Sequence, residues 1–599
     1  MFEILLMILL SIPPGYAIVT LLDKRLDDTE KFALSLGVSF IFFGSIGLLL
    51  HILGYPLAYS LFFLVPLAGI SLLRWKRFSF VIDKKLLLIL LLAFVLRFGL
   101  QFLFSAPFVG DSYFHMDLAR TFTTPNWFSV NAIDNLWSGV KFPFPEEYRP
   151  PFFNFVMGFF FQLFGTSFEI AKFLNVIIGT IAIVPIYLVA KQFSNQKIAL
   201  LVSFFMAVNP LMIAQSLEAE VRIFTVYLAF ISFYFFVKAK NMWLYSGLFL
   251  GLLYITHYAP GTILALTYFA YLVFYKRELI FQKSTLFVIL SFFLIVSPWL
   301  VRNFLVFGDP LYTSSRYATL MDRFDQILLL KPPTIQSFFG YILNNPSDFI
   351  FSKVTNIYRS LFPLPFQSRM GIYFLNLDPT KNFNLIGVPI SMIVTLPIFI
   401  LSLFYFSDNF KKFRKPNLLF IYVIVGFLFS FTFWSFRIAF TYNFLFQQLI
   451  LISIAGFIVL NKVKSKYKKL IYVLVAVALL IQLSTYYLRL TIPADFAQSW
   501  IVENTNPNDT IMARWTNVHV LNLFTDRKIL SMPYENEDTV IQFAKTYNVT
   551  YIIIDRLDLD TQKVSVDSMT QKLQLVATYK VPEPRFSQQY VNTYWIFKV

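Results

Sequence analysis

One polar stretch interrupts an otherwise apolar chain: Gly110-Asp111-Ser112-Tyr113-Phe114-His115-Met116-Asp117, closed by Arg149-Pro150-Pro151. Asp111 follows the apolar run Leu86 to Phe104 and so stands at a membrane surface. A carboxylate there can take a proton from a hydroxyl or help hold a metal ion. Its plainer roles are a solvated loop acid or the cap of the helix that follows. His115 is one turn on, as a metal ligand or the residue that places one, although a lone histidine is more often structural. Asp117 adds a further acid, and 114–122 has the pattern of an amphipathic helix lying on the bilayer.

Arginines supply the complementary charge. Arg149 sits between Tyr148 and two prolines, whose stiff backbone suits a fixed guanidinium that grips phosphate. Arg302, in Trp299-Leu300-Val301-Arg302-Asn303, offers a second phosphate-binding group. Contact with lipid headgroups, or snorkelling to the interface, is the simpler role for each. A second acidic site lies in the short turn Gln215 to Arg222, with Glu218 and Glu220. Acids at a helix end near the membrane are expensive and mark a functional site. Two residues apart, they should not share a helical face, so Glu220 is expected inward and Glu218 away. A pairing of Glu220 with Arg222, or capping of the helix it opens, is the structural alternative. His257-Tyr258 and Arg437 are lesser candidates. No Walker loop, no GxGxxG after a strand, no HExxH and no Ser/His/Asp set is present, which argues against nucleotide-driven chemistry and a nucleotide cofactor.

The elements that must carry these groups are membrane helices. Of 599 residues, 57% are hydrophobic and 14% charged, with mean hydropathy +0.65. A soluble protein carries about 25% charge, so the chain is a polytopic α-helical membrane protein. Runs long enough to cross a bilayer fall near 2–22, 32–53, 57–73, 84–105, 170–190, 197–215, 221–238, 241–256, 260–276 and 283–302. They resume near 383–406, 416–433, 438–460 and 470–487, giving about fourteen spans over a transmembrane region 1–487. The first span has no basic leader and is read as retained. With no cysteine, disulfides and Cys metal sites are excluded.

The net charge of +17 is read as basic inner loops and not as a nucleic-acid signal. Placing those loops on one side requires that 152–165 not cross, so this run is read as an interfacial or re-entrant helix. The first outer loop 106–150, the turn 216–222, the long loop 303–382 and the tail then face outward. The tail, 488–599, alternates helical and strand-like runs and is expected to form a small α/β domain. Helices are expected at 495–501 and 537–547, and strands at 510–513, 549–555, 574–579 and 590–599.

The ordered motifs resemble the GT-C superfamily of membrane glycosyltransferases, in its protein mannosyltransferase and aminoarabinose transferase branch. The order is Gly110-Asp111-Ser112-Tyr113-Phe114, Arg149-Pro150-Pro151-Phe152 to Leu163-Phe164-Gly165, Glu220, then Pro298-Trp299 to Asn303 and Gly308-Asp309-Pro310. The resemblance covers about residues 84–315. It implies a polyprenyl- or dolichyl-phosphate-linked sugar donor, an active site on the non-cytoplasmic face, and inversion at the anomeric carbon. It matches Asp111 to the catalytic acid, as general base, and Glu220 to a second acid that in some relatives helps hold a divalent metal such as Mg or Mn. Many relatives have two adjacent acids where this chain has Asp111-Ser112, which bears on metal dependence. The tail also resembles oligosaccharyltransferase catalytic subunits, but Arg514-Trp515-Thr516-Asn517-Val518 stands where they have Trp-Trp-Asp-Tyr-Gly.

The resulting expectation is a glycosyltransferase passing a sugar from such a donor to a lipid, glycan or protein acceptor. Asp111 serves as base, Arg149 and Arg302 hold the donor phosphate, Glu218 and Glu220 form the second acidic site, and Asp111, Glu220 and His115 are the metal candidates. The alternatives are oligosaccharyltransferase-like transfer to protein, or a lipid-linked-sugar transporter or flippase, for which ionisable residues at mid-bilayer would be expected.

Overall fold

Proline and asparagine set where the apolar helices break. The computed structural model describes residues 2–73 apart from 54 and 56, 83–102, 110–123, 128–134, 136, 139–238, 240–314, 334–350 apart from 348, 398–408, 417–433, 446–473, 476, 497–555, 564–582 and 591–599. Most of the 303–382 loop, Arg437, and much of the runs 383–406, 438–460 and 470–487 lie outside these residues.

In chain order the helices are α1 (Phe2–Ser11), α2 (Pro13–Leu22), α3 (Asp28–Ile52), α4 (Leu61–Leu73), α5 (Lys84–Gln101), α6 (Gly110–Thr121), α7 (Phe152–Phe164), α8 (Phe168–Ile181), α9 (Ile183–Phe193), α10 (Gln196–Val208), α11 (Pro210–Ser216), α12 (Arg222–Lys238), α13 (Trp243–Tyr254), α14 (Tyr258–Tyr275) and α15 (Lys283–Phe307). Further helices include Leu418–Phe433 and Phe446–Leu460.

Pro13 opens α2 and Pro210 opens α11, each at a position where the missing N–H costs nothing. Asn209 caps α11 by accepting from the N–H groups of Leu211 and Met212, at 3.0 and 3.2 Å. The break leaves carbonyls at the end of α10. The fully buried Arg97 of α5 answers them, donating to the Ala207 and Met206 carbonyls at 2.9 and 3.4 Å. An arginine in mid-helix thus serves the backbone that a proline has freed.

Among the described residues, five helical stretches are long and apolar enough to cross a membrane: Glu3–Leu22, Asp28–Leu50, Phe168–Phe193, Tyr258–Tyr275 and Lys283–Phe307. Shorter apolar helices accompany them, α7, α10 and α13 included. The chain is an integral membrane protein of helical class. Small residues let these helices close on each other. A Cβ at Gly247 would collide with Ser291 and the Val288 carbonyl, which brings α13 against α15.

Two expectations change. Residues 152–161 of α7 are all buried, so α7 is enclosed by protein and is not an interfacial helix on lipid, while the re-entrant alternative is compatible with this burial. Likewise α6 does not lie on the bilayer. It packs between α7 and the helix Val518–Thr525, and residues 112–119 are all buried. At Gly158 the two helices nearly touch: a methyl there would sit 2.6 Å from the Ala119 carbonyl.

Eight strands are present among the described residues: β1 (Ser129–Val130), β2 (Ala132–Ile133), β3 (Phe144–Pro145), β4 (Thr510–Ala513), β5 (Lys528–Ser531), β6 (Val549–Asp555), β7 (Gln574–Pro582) and β8 (Val591–Lys598). β1 and β3 pair antiparallel within the first outer loop. The other six form one sheet, β2-β5-β4-β6-β8-β7. Its first four strands are parallel, with the helices Val518–Thr525 and Glu537–Thr546 as crossovers, and β8 is antiparallel to β6 and β7. The first outer loop supplies the edge strand of this sheet, with Ala132 opposite Ile529 and Ile133 opposite Leu530. α6 is therefore fastened at its far end to the tail and along its length to α7.

Candidate active site

Asp111 occupies the first turn of α6, where the exposed N–H groups favour a negative charge. Its Oδ1 accepts from Arg149 Nη2 at 2.9 Å, and its Oδ2 stands 3.7 Å from Arg222 Nη2. The side chain remains 39% exposed, the most open of the acids gathered here. Burial works against its charge, but the two guanidiniums outweigh it and hold the carboxyl well below the usual range.

Arg149 is held from several sides. Its Nη1 donates to His115 Nε2 at 2.9 Å, and its Cζ lies 4.2 Å from the centroid of the Phe114 ring. Its own backbone N–H and that of Tyr148 donate to Glu146 Oε1 at 2.7 and 2.8 Å. Glu146 thus fixes the turn that presents Arg149. Glu146 is buried, and burial together with the field of Asp134 raises its pKa to about 7.

An arginine can only donate, so His115 Nε2 accepts and Nδ1–H donates to Asn154 Oδ1 of α7, at 2.7 Å. Burial, with Arg149 beside it, pushes the His115 pKa well down and keeps the ring neutral. His115 is a positioner of Arg149 in this arrangement, and neither ring nitrogen is available to a metal.

The second acidic site departs from the expected geometry. Residues 217–221 form a tight bend between α11 and α12, so helical-face reasoning does not apply, and both glutamates point inward. Ser112 donates to Glu218 Oε2 at 2.7 Å and accepts from the Ala219 N–H at 3.2 Å. The serine where relatives carry a second acid therefore ties α6 to the bend. Asn175 of α8 donates to the carbonyls of Glu218 and Glu220. Glu220 Oε2 pairs with Arg222 Nε at 2.9 Å, while its Oε1 is buried without a hydrogen-bond partner among the described residues. Burial raises the Glu220 pKa, with Arg222 opposing and Asp111 adding to the rise. Arg222 joins the two acidic sites, since it faces both Asp111 and Glu220.

Arg302 is not part of this cluster. It donates to Asn303 Oδ1 at 3.0 Å and lies over the rings of Trp299, Phe307 and Phe128. No group of three His, Cys, Asp or Glu able to hold an ion occurs among the described residues. Guanidiniums face Asp111 and Glu220 where an ion would sit, so the set as it stands does not fit Mg or Mn.

Sequence reasoning did not single out Arg222, Glu146 or His519. Arg222 appeared only as a partner for Glu220. Glu146, in Pro145-Glu146-Glu147, was a detectable signal because acids three residues from Arg149 can bond its backbone. His519 left no local signal. Its Nδ1 contacts Asp117 Oδ2 of α6 at 2.9 Å, although the two residues are 402 apart in the chain.

Residues 148–301 match the protein family described as dolichyl-phosphate-mannose-protein mannosyltransferase, a span that includes Arg149, Glu218, Glu220 and Arg222. A curated relative, dolichyl-phosphooligosaccharide-protein glycotransferase 1 of Archaeoglobus fulgidus, is 26% identical over 257 residues. That stretch is 40% of this chain and 42% of the relative, so the match covers less than half of either. Among solved structures, the archaeal oligosaccharyltransferase AglB of A. fulgidus, in complex with an inhibitory peptide and a dolichol-phosphate, superposes with TM-score 0.50 at 16% identity. The superposition covers 80% of this chain and 70% of AglB. ArnT from Cupriavidus metallidurans, bound to undecaprenyl phosphate, aligns with TM-score 0.49 at 12% identity over 85% of this chain and 97% of that one. The chain thus resembles the GT-C superfamily of membrane glycosyltransferases in its helical fold and, over residues 148–301, in its sequence.

Proposed function

We propose that the protein transfers a sugar from a polyprenyl- or dolichyl-phosphate-linked donor to an acceptor hydroxyl or amide on the non-cytoplasmic face, with inversion. The observation that carries this reading is the Asp111–Arg149 ion pair, half-open beside a membrane bundle and flanked by Arg222. The dolichol-phosphate bound to AglB supports a lipid-phosphate donor.

Asp111 takes the acceptor proton as the acceptor atom attacks the anomeric carbon. The bond from that carbon to the donor phosphate breaks, and its electron pair leaves with the phosphate. Arg149 stabilises that leaving charge, and charge stabilisation is usually the largest catalytic effect.

The ion pair supplies a resting state. A carboxylate gripped by two guanidiniums is a weak base. A donor phosphate competes for Arg149, and as that guanidinium turns toward it Asp111 becomes more basic. The base is thereby strengthened when the donor is bound.

Protein is the acceptor class best supported, because the curated relative is a protein glycotransferase and AglB binds a peptide. Arg514 stands in the tail where oligosaccharyltransferases have the tryptophan-rich motif, and it pairs with the buried Asp555 at 3.6 Å. Lipid and glycan acceptors are the alternatives.

The test is turnover of a radiolabelled polyprenyl-phosphate sugar by purified protein in lipid. Asp111→Asn is expected to lower turnover about 10²–10⁴-fold, the usual range for a lost general base. Full turnover by the folded variant would remove Asp111 from this role.

A further inference from the structure

The far end of α6 carries a second charged cluster that the proposed reaction does not use. His519, on the helix Val518–Thr525, places Nδ1 2.9 Å from Asp117 Oδ2 and Nε2 3.6 Å from Asp134 Oδ2. Asp117 is on α6, Asp134 directly follows β2, and His519 belongs to the tail. One imidazole therefore joins three parts of the chain. The second contact is too long for a hydrogen bond and acts as an ion pair.

The surroundings make this join tight. Asp117 is wholly buried, and its Oδ1 pairs with Arg120 Nη2 at 3.2 Å. Arg120 in turn donates to Asn522 Oδ1 at 2.9 Å and pairs with Asp526 at 3.3 Å. Ser531 of β5 donates to the Asp134 carbonyl at 3.1 Å, in line with the β2–β5 pairing. The imidazole also rests against the edge of Phe114, with ring centroids 4.1 Å apart. Phe114 is the ring that Arg149 covers at 4.2 Å. His519, Phe114 and Arg149 form a continuous stack that leads from the tail to Asp111.

We propose that His519 is a positioning residue, clasped between Asp117 and Asp134 so that the tail holds Phe114 and, through it, Arg149 in register with Asp111. This rests on the reading of Asp111 and Arg149 as the reactive pair.

The charges facing His519 are Asp117 and Arg120 from α6, Asp134 beyond β2, and Glu146 from the loop that ends at Arg149. Burial opposes an imidazolium here, but contacts with Asp117 and Asp134 raise its pKa to about 9. The cationic clasp holds through neutral pH and opens as pH rises through about 9. The same cation lies near the Glu146 carboxyl, which bonds the Arg149 backbone.

His519→Gln keeps size and a hydrogen-bond donor but loses the charge. Expected in purified full-length protein is a fall in kcat of about tenfold or more with donor KM within about threefold, since the base and cation are displaced while the donor surface remains. The wild-type alkaline limb near pH 9 should be absent from the variant. Adding Asp117→Asn removes the buried carboxylate that has lost its imidazolium partner and should recover part of the lost kcat. A merely structural role would lower thermal stability and expression without the pH limb or the recovery.

Asp111→Asn, assayed alongside, separates the two ideas. Turnover retained in Asp111→Asn overturns the reactive-pair reading. Turnover lost there, with His519→Gln matching wild type in kcat, KM and pH profile, overturns the positioning role alone. If His519→Gln does not fold, the wild-type profile decides: a limb near pH 9 supports the clasp and a flat profile to pH 10 overturns it.

Discussion

The two ends of α6 hold an aspartate each, and the protein treats them differently. Asp111 is 39% exposed and meets two arginines, one of them at 3.7 Å. Asp117, less than two turns on, is fully covered and meets Arg120 and His519 at close range. The first is poised to exchange partners; the second is committed to its own. One helix thus carries the proposed base at its start and a group for assembly farther along, and the stiff backbone between them makes each sensitive to the other.

The sharpest break in that comparison is Asp111→Asn, which should silence turnover by the factor given above while the melting temperature stays within a few degrees. Asp117→Ala should do the reverse in kind. It takes from the buried His519 its nearer partner, and breaking a buried pair typically costs ~3–5 kcal/mol, read as a large drop in thermal stability in detergent or lipid. A variant that loses activity yet keeps full stability would erase the distinction. Between these lies Gly158→Ala, where the new methyl meets the Ala119 carbonyl and must push α6 from α7. Overpacking of this kind costs about 1–3 kcal/mol, and the displaced helix should lower kcat more than donor KM. Ser112→Ala removes the bonds to Glu218 and to the Ala219 N–H, a loss of about 1–3 kcal/mol in the melt.

The smallest effect belongs to Glu146→Gln. The glutamate's folded pKa, about 7, lies above its ordinary 4.5, so its ionisation costs the folded state stability as pH rises across that window. The amide oxygen of Gln still accepts from the Tyr148 and Arg149 N–H groups. The variant should therefore match wild type near pH 5 and gain on it as pH climbs to about 7, after which the gain levels off. A stability gain that shrinks over that range would contradict the assignment of Glu146.

Local chemistry was readable in the chain where partners are close in sequence or share a loop. Asp111 and Arg149 stand at the two limits of one polar loop, and their contact follows from that frame. Strands β4 and β6 stand at 510–513 and 549–555, where short apolar runs between turns required them. What was not readable depended on distant pairing. Glu218 turns inward because Ser112 receives it, and nothing in Leu217-Glu218-Ala219 announces that contact. The two-residue strand β2 has too few positions to show alternation, and it exists because β5 offers it an edge. Loop charge led to α7 as an interfacial or re-entrant helix, but it does not show what α7 packs on, and its phenylalanines meet other phenylalanines, such as Phe43 against Phe159 with centroids 4.8 Å apart.

The pairing of β2 with β5 has a consequence for biosynthesis. Asp134 and Ser531, which close that junction, are 397 residues apart, so the first outer loop must wait for its partner strand until that whole intervening stretch has been made. Closing so long a loop carries an entropic cost that only the finished contacts offset. Until the tail emerges, α6 lacks its clasp, and the reactive pair lacks the stack behind it. Nascent chains therefore pass through a membrane-inserted stage with an incomplete centre, and the proposed sugar transfer has to await the closing of that junction.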